Sequence, residues 1–357
     1  MKIAVVGGGN IGTLLAAEFA HKGEDVVIYT SKTDKWSDTL SVLYPDGTEW
    51  FHTNHFKVTN DLSFAMDDAD QIWVVLPAFM FHQIAEQMLP FIATGQKIIC
   101  VPGSGGAEFA FSRHVKKGAI LCGLQRVHSI ARLKQYGQSV YMLGRKPAIQ
   151  LASIPASEAA QAAESVSALL DLPCEVLENY LTVTLTPSNP ILHTTRIYSM
   201  FHDYSAGKYY DHNILFYEEW TDEASRLLML CDAELQQICR LLPRLDLHMV
   251  KSLKEHYESD TQEQMTKKIR SIAAFKGLLS PMKKVEEGWI PDFDSRYFTA
   301  DFSFGLKVLI EIGKLVGAST PTMNQIWNWY ENCGLKEQAP VFAFDIHCVE
   351  KLYEIYR

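Results

Sequence analysis

Ile3-Ala4-Val5-Val6-Gly7-Gly8-Gly9-Asn10-Ile11-Gly12, at the head of a 357-residue chain, decides the fold. A short apolar run ends in glycines spaced Gly-x-Gly-x-x-Gly, and residues 11–21 then carry apolar side chains at helical spacing. Glycines so spaced occur in many loops. Here a strand precedes them and a helix follows, which is the context of a dinucleotide-binding turn. Gly7 suits the tight turn, Gly9 lets backbone approach a pyrophosphate, and Gly12 lets helix and strand pack closely. Asn10 and Ile11 open the helix, whose free N–H groups and partial positive charge favour phosphate.

Working outward, Gly23 is placed to stop that helix and residues 26–29 form the second strand, completing a βαβ unit. Strands are expected over 72–76 and 97–101, and helices over 81–88 and 156–170. Apolar runs 139–143 and 148–152 suggest a hairpin extending the sheet, with a last strand over 175–177. Past Thr184 long amphipathic segments take over, at 218–242, 261–274, 301–316 and 321–330. The expected architecture is an α/β Rossmann domain over 1–183 and an all-α domain over 184–357, joined within 180–187.

Composition narrows the function classes. The formal net charge is −9, so a general nucleic-acid or anionic-membrane surface is not expected. No run of apolar residues is long enough to suggest a membrane span. Seven scattered cysteines, none in a Cys-x-x-Cys pair, fit reduced thiols in the cytoplasm better than disulfides or a metal cluster, and no metal is expected.

The end of the second strand bears on which dinucleotide binds. An NAD site usually carries an acidic residue there, on the ribose 2′-hydroxyl. This chain has Tyr29-Thr30-Ser31-Lys32 instead. Thr30, Ser31 and Lys32 can donate to a 2′-phosphate that a carboxylate would repel, so NADP is expected ahead of NAD. Pro77 and Ala78, after another strand, are further candidates for contact with the cofactor. A dinucleotide domain also needs a proton donor, and His193, just past the expected junction, suits that work.

Asn189-Pro190-Ile191-Leu192-His193, and then Arg296-Tyr297-Phe298-Thr299-Ala300-Asp301 ahead of Phe304-Gly305-Leu306, resemble signatures of the opine dehydrogenase family. Phe216-Tyr217-Glu218 fits more loosely, while Ala300 and Ser303 replace the family's frequent acidic residue and proline. The resemblance implies a helical domain of the 6-phosphogluconate dehydrogenase C-terminal type and an oxidoreductase acting on CH–NH bonds. It implies His193 as general acid/base, Asp301 as its orienting carboxylate, Arg296 on a substrate carboxylate and Asn189 on substrate or nicotinamide. An amino acid and an α-keto acid would be the partners, and a homodimer is left open. His128 and Arg132 are candidates for the rim of the site. Two rival readings stay open: a ketopantoate-reductase-like or hydroxy-acid dehydrogenase, and an NADP(H)-sensing protein without turnover.

Overall fold

The computed structural model describes residues 1–186, 189–333 and 346–356 and divides into two compact units. One is Met1–Thr184 together with the chain from Tyr353 on; the other is Leu185–Leu352. Pro187 and Ser188 of the second-half motif lie outside the described residues.

The first unit runs β1 (Lys2–Val6), α1 (Asn10–His21), β2 (Asp25–Tyr29), β3 (Leu40–Leu43), β4 (Glu49–Thr53), β5 (Phe56–Thr59), α2 (Leu62–Met66), β6 (Gln71–Val74) and α3 (Phe81–Met88). It continues β7 (Lys97–Cys100), α4 (Ala107–Ala110), α5 (Ser112–Lys116), β8 (Ile120–Leu124), β9 (Ser129–Gln135), β10 (Ser139–Arg145), β11 (Ile149–Ile154), α6 (Ala159–Leu170), β12 (Cys174–Val176) and α7 (Leu181–Thr184). Eight strands form one sheet in the order β12-β11-β8-β7-β6-β1-β2-β5. Every neighbouring pair is parallel except β8 with β11. The chain reverses direction across the sheet at β1, whose carboxyl end runs into the glycine turn. That is where open α/β sheets bind ligands.

A second sheet, β4-β3-β10-β9, covers the other side of α1. This explains why every α1 residue from Gly12 to Ala20 is buried: a helix between two sheets is apolar all round. Its one buried charge, Glu18, is held by His128, 3.0 Å away, and by Arg145. His128 is fully buried there, so it is not the rim residue the sequence suggested.

The expected hairpin is also corrected. β10 and β11 belong to different sheets, and β10 instead turns back onto β9 through Tyr136, Gly137 and Gln138. Gly137 has φ of +69°, the left-handed conformation such a turn needs. β9 escaped notice because its burial alternates, with Ser129 and Ala131 inside and Ile130 outside, whereas continuous apolar runs set the other strands.

At the end of the first unit, Glu108 is buried beside Gly106 and Ala107. Thr184 donates to its Oε1 at 2.5 Å and Tyr356 donates to the same oxygen at 2.7 Å. Burial pushes this carboxyl's pKa up, consistent with an interior that disfavours charge.

The second unit is built on α8 (Asn189–Phe201), α9 (Asp222–Arg240), α10 (Leu253–His256) and α11 (Gln262–Ser271). A small hairpin, β13 (Met282–Val285) and β14 (Gly288–Pro291), then precedes α12 (Arg296–Thr299), α13 (Lys307–Leu315) and α14 (Pro321–Asn332). The hairpin is an addition to the helical architecture that periodicity had not revealed. α15 (Val349–Ile355) closes the chain's described part. Around α9 pack α8, α11, α13 and α14. Thr221 caps α9 by accepting from Ala224 N, and Thr261 with Gln264 forms a capping box on α11. Glu234, buried in α9, accepts from the backbone of Thr322 and Met323 at 2.7 and 3.0 Å, so its charge meets the positive end of α14.

Candidate active site

The glycine turn of the first unit has the shape its spacing predicts. Gly7 has φ of +117°, and a Cβ there would lie 2.5 Å from the Val75 carbonyl oxygen. At Gly12 a Cβ would lie 1.9 Å from the Gly7 carbonyl oxygen. At Gly9 it would meet nothing within 4 Å, and Gly9 is exposed. Two glycines are therefore demanded by packing, while the fold leaves the space at Gly9 open. α1 starts at Asn10 with no acidic residue in its first turn and no side-chain cap, leaving its N–H groups for an anion. These residues fit a dinucleotide pyrophosphate.

The neighbouring candidates fall out differently. Asn10 commits its side chain to the fold, accepting from Leu133 N at 2.9 Å, so only its backbone is offered to a ligand. Half-buried Ile11 packs on the core. Thr30 is buried and its hydroxyl lies 3.0 Å from that of Tyr136 on the β9–β10 turn. Ser31 and Lys32 are exposed, and the Lys32 ammonium sits 5.5 Å from the centre of the Tyr136 ring. Pro77 is exposed and Ala78 half-buried where β6 gives way to a 3-10 turn.

In the second unit, α8 presents His193 and, one turn on, Arg196. Just beyond α12 comes Asp301, which leads into a π-helical turn, Phe302–Leu306. Wide turns of this kind recur at functional sites. A Cβ on Gly305 would lie 2.9 Å from Pro190 Cβ, so the lack of a side chain lets this turn seat against the start of α8. Pro190 and Gly305, one from each sequence motif, thus bring the motifs together. The result is His193 Nδ1 at 2.7 Å from Asp301 Oδ2.

An ionised carboxylate only accepts, so Nδ1 carries the proton and Nε2 of the neutral ring is the acceptor. That nitrogen lies 2.9 Å from the Tyr217 hydroxyl, which donates to it. Tyr297 lies against the imidazole with centroids 4.7 Å apart, and Phe216 meets it edge-on at 5.5 Å. His193 is buried, with 8% of its surface exposed. A buried imidazole with one carboxylate and one hydroxyl can exchange a proton and hold positive charge without water.

Arg296 lies near enough for its charge to act on Tyr217, and Asn189 sits about one turn before His193 on α8. Arg296 is exposed and makes no ion pair among the described residues, neither with Asp292 nor with Asp294. Asn189 is exposed at the start of α8. Sequence reasoning passed over Tyr217 as a site residue, and over Tyr297 and Arg196. Arg196 left one signal: a guanidinium three residues past a candidate histidine, on a helix with no other Arg, Lys, Asp or Glu.

Comparison with known proteins bears on both units. Residues 176–333 match the alpha-helical domain of NAD/NADP octopine/nopaline dehydrogenase, and residues 2–108 match the N-terminus of NAD-dependent glycerol-3-phosphate dehydrogenase. A tauropine dehydrogenase from Arabella iricolor is 26% identical, over 94% of this chain and 92% of its own length. An octopine dehydrogenase from Pecten maximus is 25% identical, over 92% and 89%. A solved octopine dehydrogenase with NADH and L-arginine superposes with a TM-score of 0.82 at 23% identity, covering 94% of this chain and 90% of that one. The fold is therefore that of a Rossmann unit followed by an octopine-dehydrogenase helical unit.

Proposed function

We propose that this chain, whose helical half belongs to the octopine/nopaline dehydrogenase family, is an NAD(P)H-dependent opine dehydrogenase that condenses an amino acid with an α-keto acid. The His193–Asp301 bond of 2.7 Å carries the reading. Relatives that cover nine-tenths of the chain and are named for tauropine and octopine support the substrate class.

Bound reduced nicotinamide supplies a hydride to carbon. The protein's own work is to bind, orient and handle the proton. Asp301 fixes the His193 tautomer and stabilises the imidazolium. His193 is the source of the proton that reaches the imine nitrogen as the carbon is reduced, and its destination in the reverse direction. Arg296, exposed and without an ion pair among the described residues, takes the keto-acid carboxylate in a bidentate clasp. Asn189 orients substrate or nicotinamide.

NADP is the preferred dinucleotide in this reading. Its support is the absence of a carboxylate from Tyr29 to Lys32 and the presence there of the exposed Ser31 hydroxyl and Lys32 ammonium. Lys32→Glu should weaken NADPH binding by tenfold or more and leave NADH binding nearly unchanged, as titrated by fluorescence; equal losses refute the preference.

The reaction itself is tested by following NADPH oxidation with pyruvate, with and without a panel of amino acids. Turnover should require the amine. Amine-independent reduction of the keto acid would instead assign a hydroxy-acid dehydrogenase.

A further inference from the structure

Both ring nitrogens of His193 are engaged, which creates a difficulty for direct proton exchange with a substrate. Asp301 holds Nδ1, and the Tyr217 hydroxyl closes Nε2 at 2.9 Å. A substrate exchanging a proton at Nε2 must displace Tyr217 or go through it.

The phenol is held too firmly for displacement. Its ring stacks on Phe275, with centroids 4.0 Å apart and planes 15° from parallel, and meets Phe216 edge-on at 4.8 Å. The backbone around it is clamped as well. Arg196, buried to 2% exposure on α8, donates from Nε to the Phe216 carbonyl at 2.9 Å and from Nη2 to the Glu219 carbonyl at 2.8 Å. Arg270 donates to the Trp220 carbonyl at 2.7 Å. Two guanidiniums thus fasten the segment on both sides of Tyr217. Arg196 springs from the helix that carries His193, so phenol and imidazole are registered to one rigid element. With its backbone so fixed, swinging Tyr217 aside would break its aromatic stacking, which is costly.

We infer that Tyr217 is the catalytic residue that meets the substrate, relaying the proton between His193 and the substrate nitrogen. In the reducing direction the imine carbon accepts hydride from the reduced nicotinamide, and its nitrogen takes the Tyr217 hydroxyl proton. Simultaneously the Tyr217 oxygen takes the proton from Nε2 of the imidazolium. His193 becomes neutral with Nδ1–H still on Asp301, and Tyr217 ends as it began. Burial pushes the phenol pKa upward, so the hydroxyl passes the proton in one concerted hop without resting as phenolate. This role rests on the opine dehydrogenase reading and refines it.

Tyr217→Phe removes one oxygen and keeps the stacked ring. The relay predicts a kcat lower by roughly 10²-fold or more, with the KM for pyruvate and the affinity for NADPH changed less than about threefold. It also predicts non-additivity: Tyr217→Phe in a His193→Asn background should cost less than another threefold, because the groups act in series. Unchanged or higher kcat in Tyr217→Phe would show that the phenol only covers Nε2, and the relay falls. Multiplying losses in the double variant would overturn it equally. Both singles are first checked for the wild-type melting temperature. If one is unstable, 3-fluorotyrosine at position 217 gives the second readout: it lowers the phenol pKa and should alter kcat under the relay, whereas no change overturns it. Should the wild-type protein lack amine-dependent turnover, the functional reading fails first, and that outcome is separate from any loss in the variants.

Discussion

The two units build their sites by opposite means. In the first, consecutive residues do the work with their backbone: Gly7, Gly9 and Gly12 shape a turn, and α1 lends its N–H groups. In the second, side chains converge from distant points, with Asp301 lying 108 residues and Tyr217 lying 24 residues from His193. A backbone site is written in a local pattern of glycine. A side-chain site depends on packing, and Pro190 against Gly305 does the assembling here.

The contrast is sharpest where each site is cut. His193→Asn should lower kcat by about 10²- to 10⁴-fold in steady-state assays while NADPH affinity stays within twofold. Gly9→Ala should do the reverse, weakening NADPH tenfold or more with an unchanged melting temperature, because its methyl group meets no protein atom within 4 Å. If Gly9→Ala unfolds the protein, the division between packing glycines and ligand glycine is wrong.

Gly12→Ala comes next. Its methyl carbon would sit 1.9 Å from a backbone oxygen, so the variant should lose about 3 kcal/mol or more of stability, measured by denaturant unfolding.

The last effects, at most about 3 kcal/mol each, concern pH, and here the units respond with opposite sign. In the first unit burial depresses His114 from 6.5 to about 4. The unfolded chain takes up that proton as pH falls below 6.5 and the fold does not until about 4, so stability drains away across that window. His114→Leu should flatten the acid side of a plot of melting temperature against pH. In the second unit burial raises Asp232 from 3.8 to about 6. The fold holds this proton longer than the unfolded chain, so a penalty accrues as pH rises from 3.8 to 6 and stays above it. Asp232→Asn keeps an acceptor for Leu253 N and should melt higher than wild type at pH 8, with the gap closing by pH 4. A constant gap at every pH would mean that packing, and not ionisation, sets the difference.

Legibility in the sequence follows the same divide. The glycine turn, β1 and α1 were readable because a strand, a turn and a helix each left an uninterrupted local signal. The β9–β10 turn was not, since β9 alternates inside and outside and its partner was mistaken for β11. His193 and Asp301 stood out through motif resemblance, and the contact between them is explained by the Gly305 approach, which no spacing announces. Tyr217 lay only in the looser Phe216-Tyr217-Glu218 match, which assigned it no role: its place against Nε2 is set by Arg196 and Arg270 gripping carbonyls, a contact type that composition does not encode.

Glu108 receives one hydroxyl from Thr184, where the chain leaves the first unit, and another from Tyr356, where it has returned, 248 residues downstream of the carboxyl. On a ribosome these partners arrive far apart in time. At translation rates of about 5–20 residues per second, the nascent chain waits on the order of ten seconds or more between them. The nucleotide-binding half therefore emerges early yet is sealed late, after the whole helical segment has been synthesised.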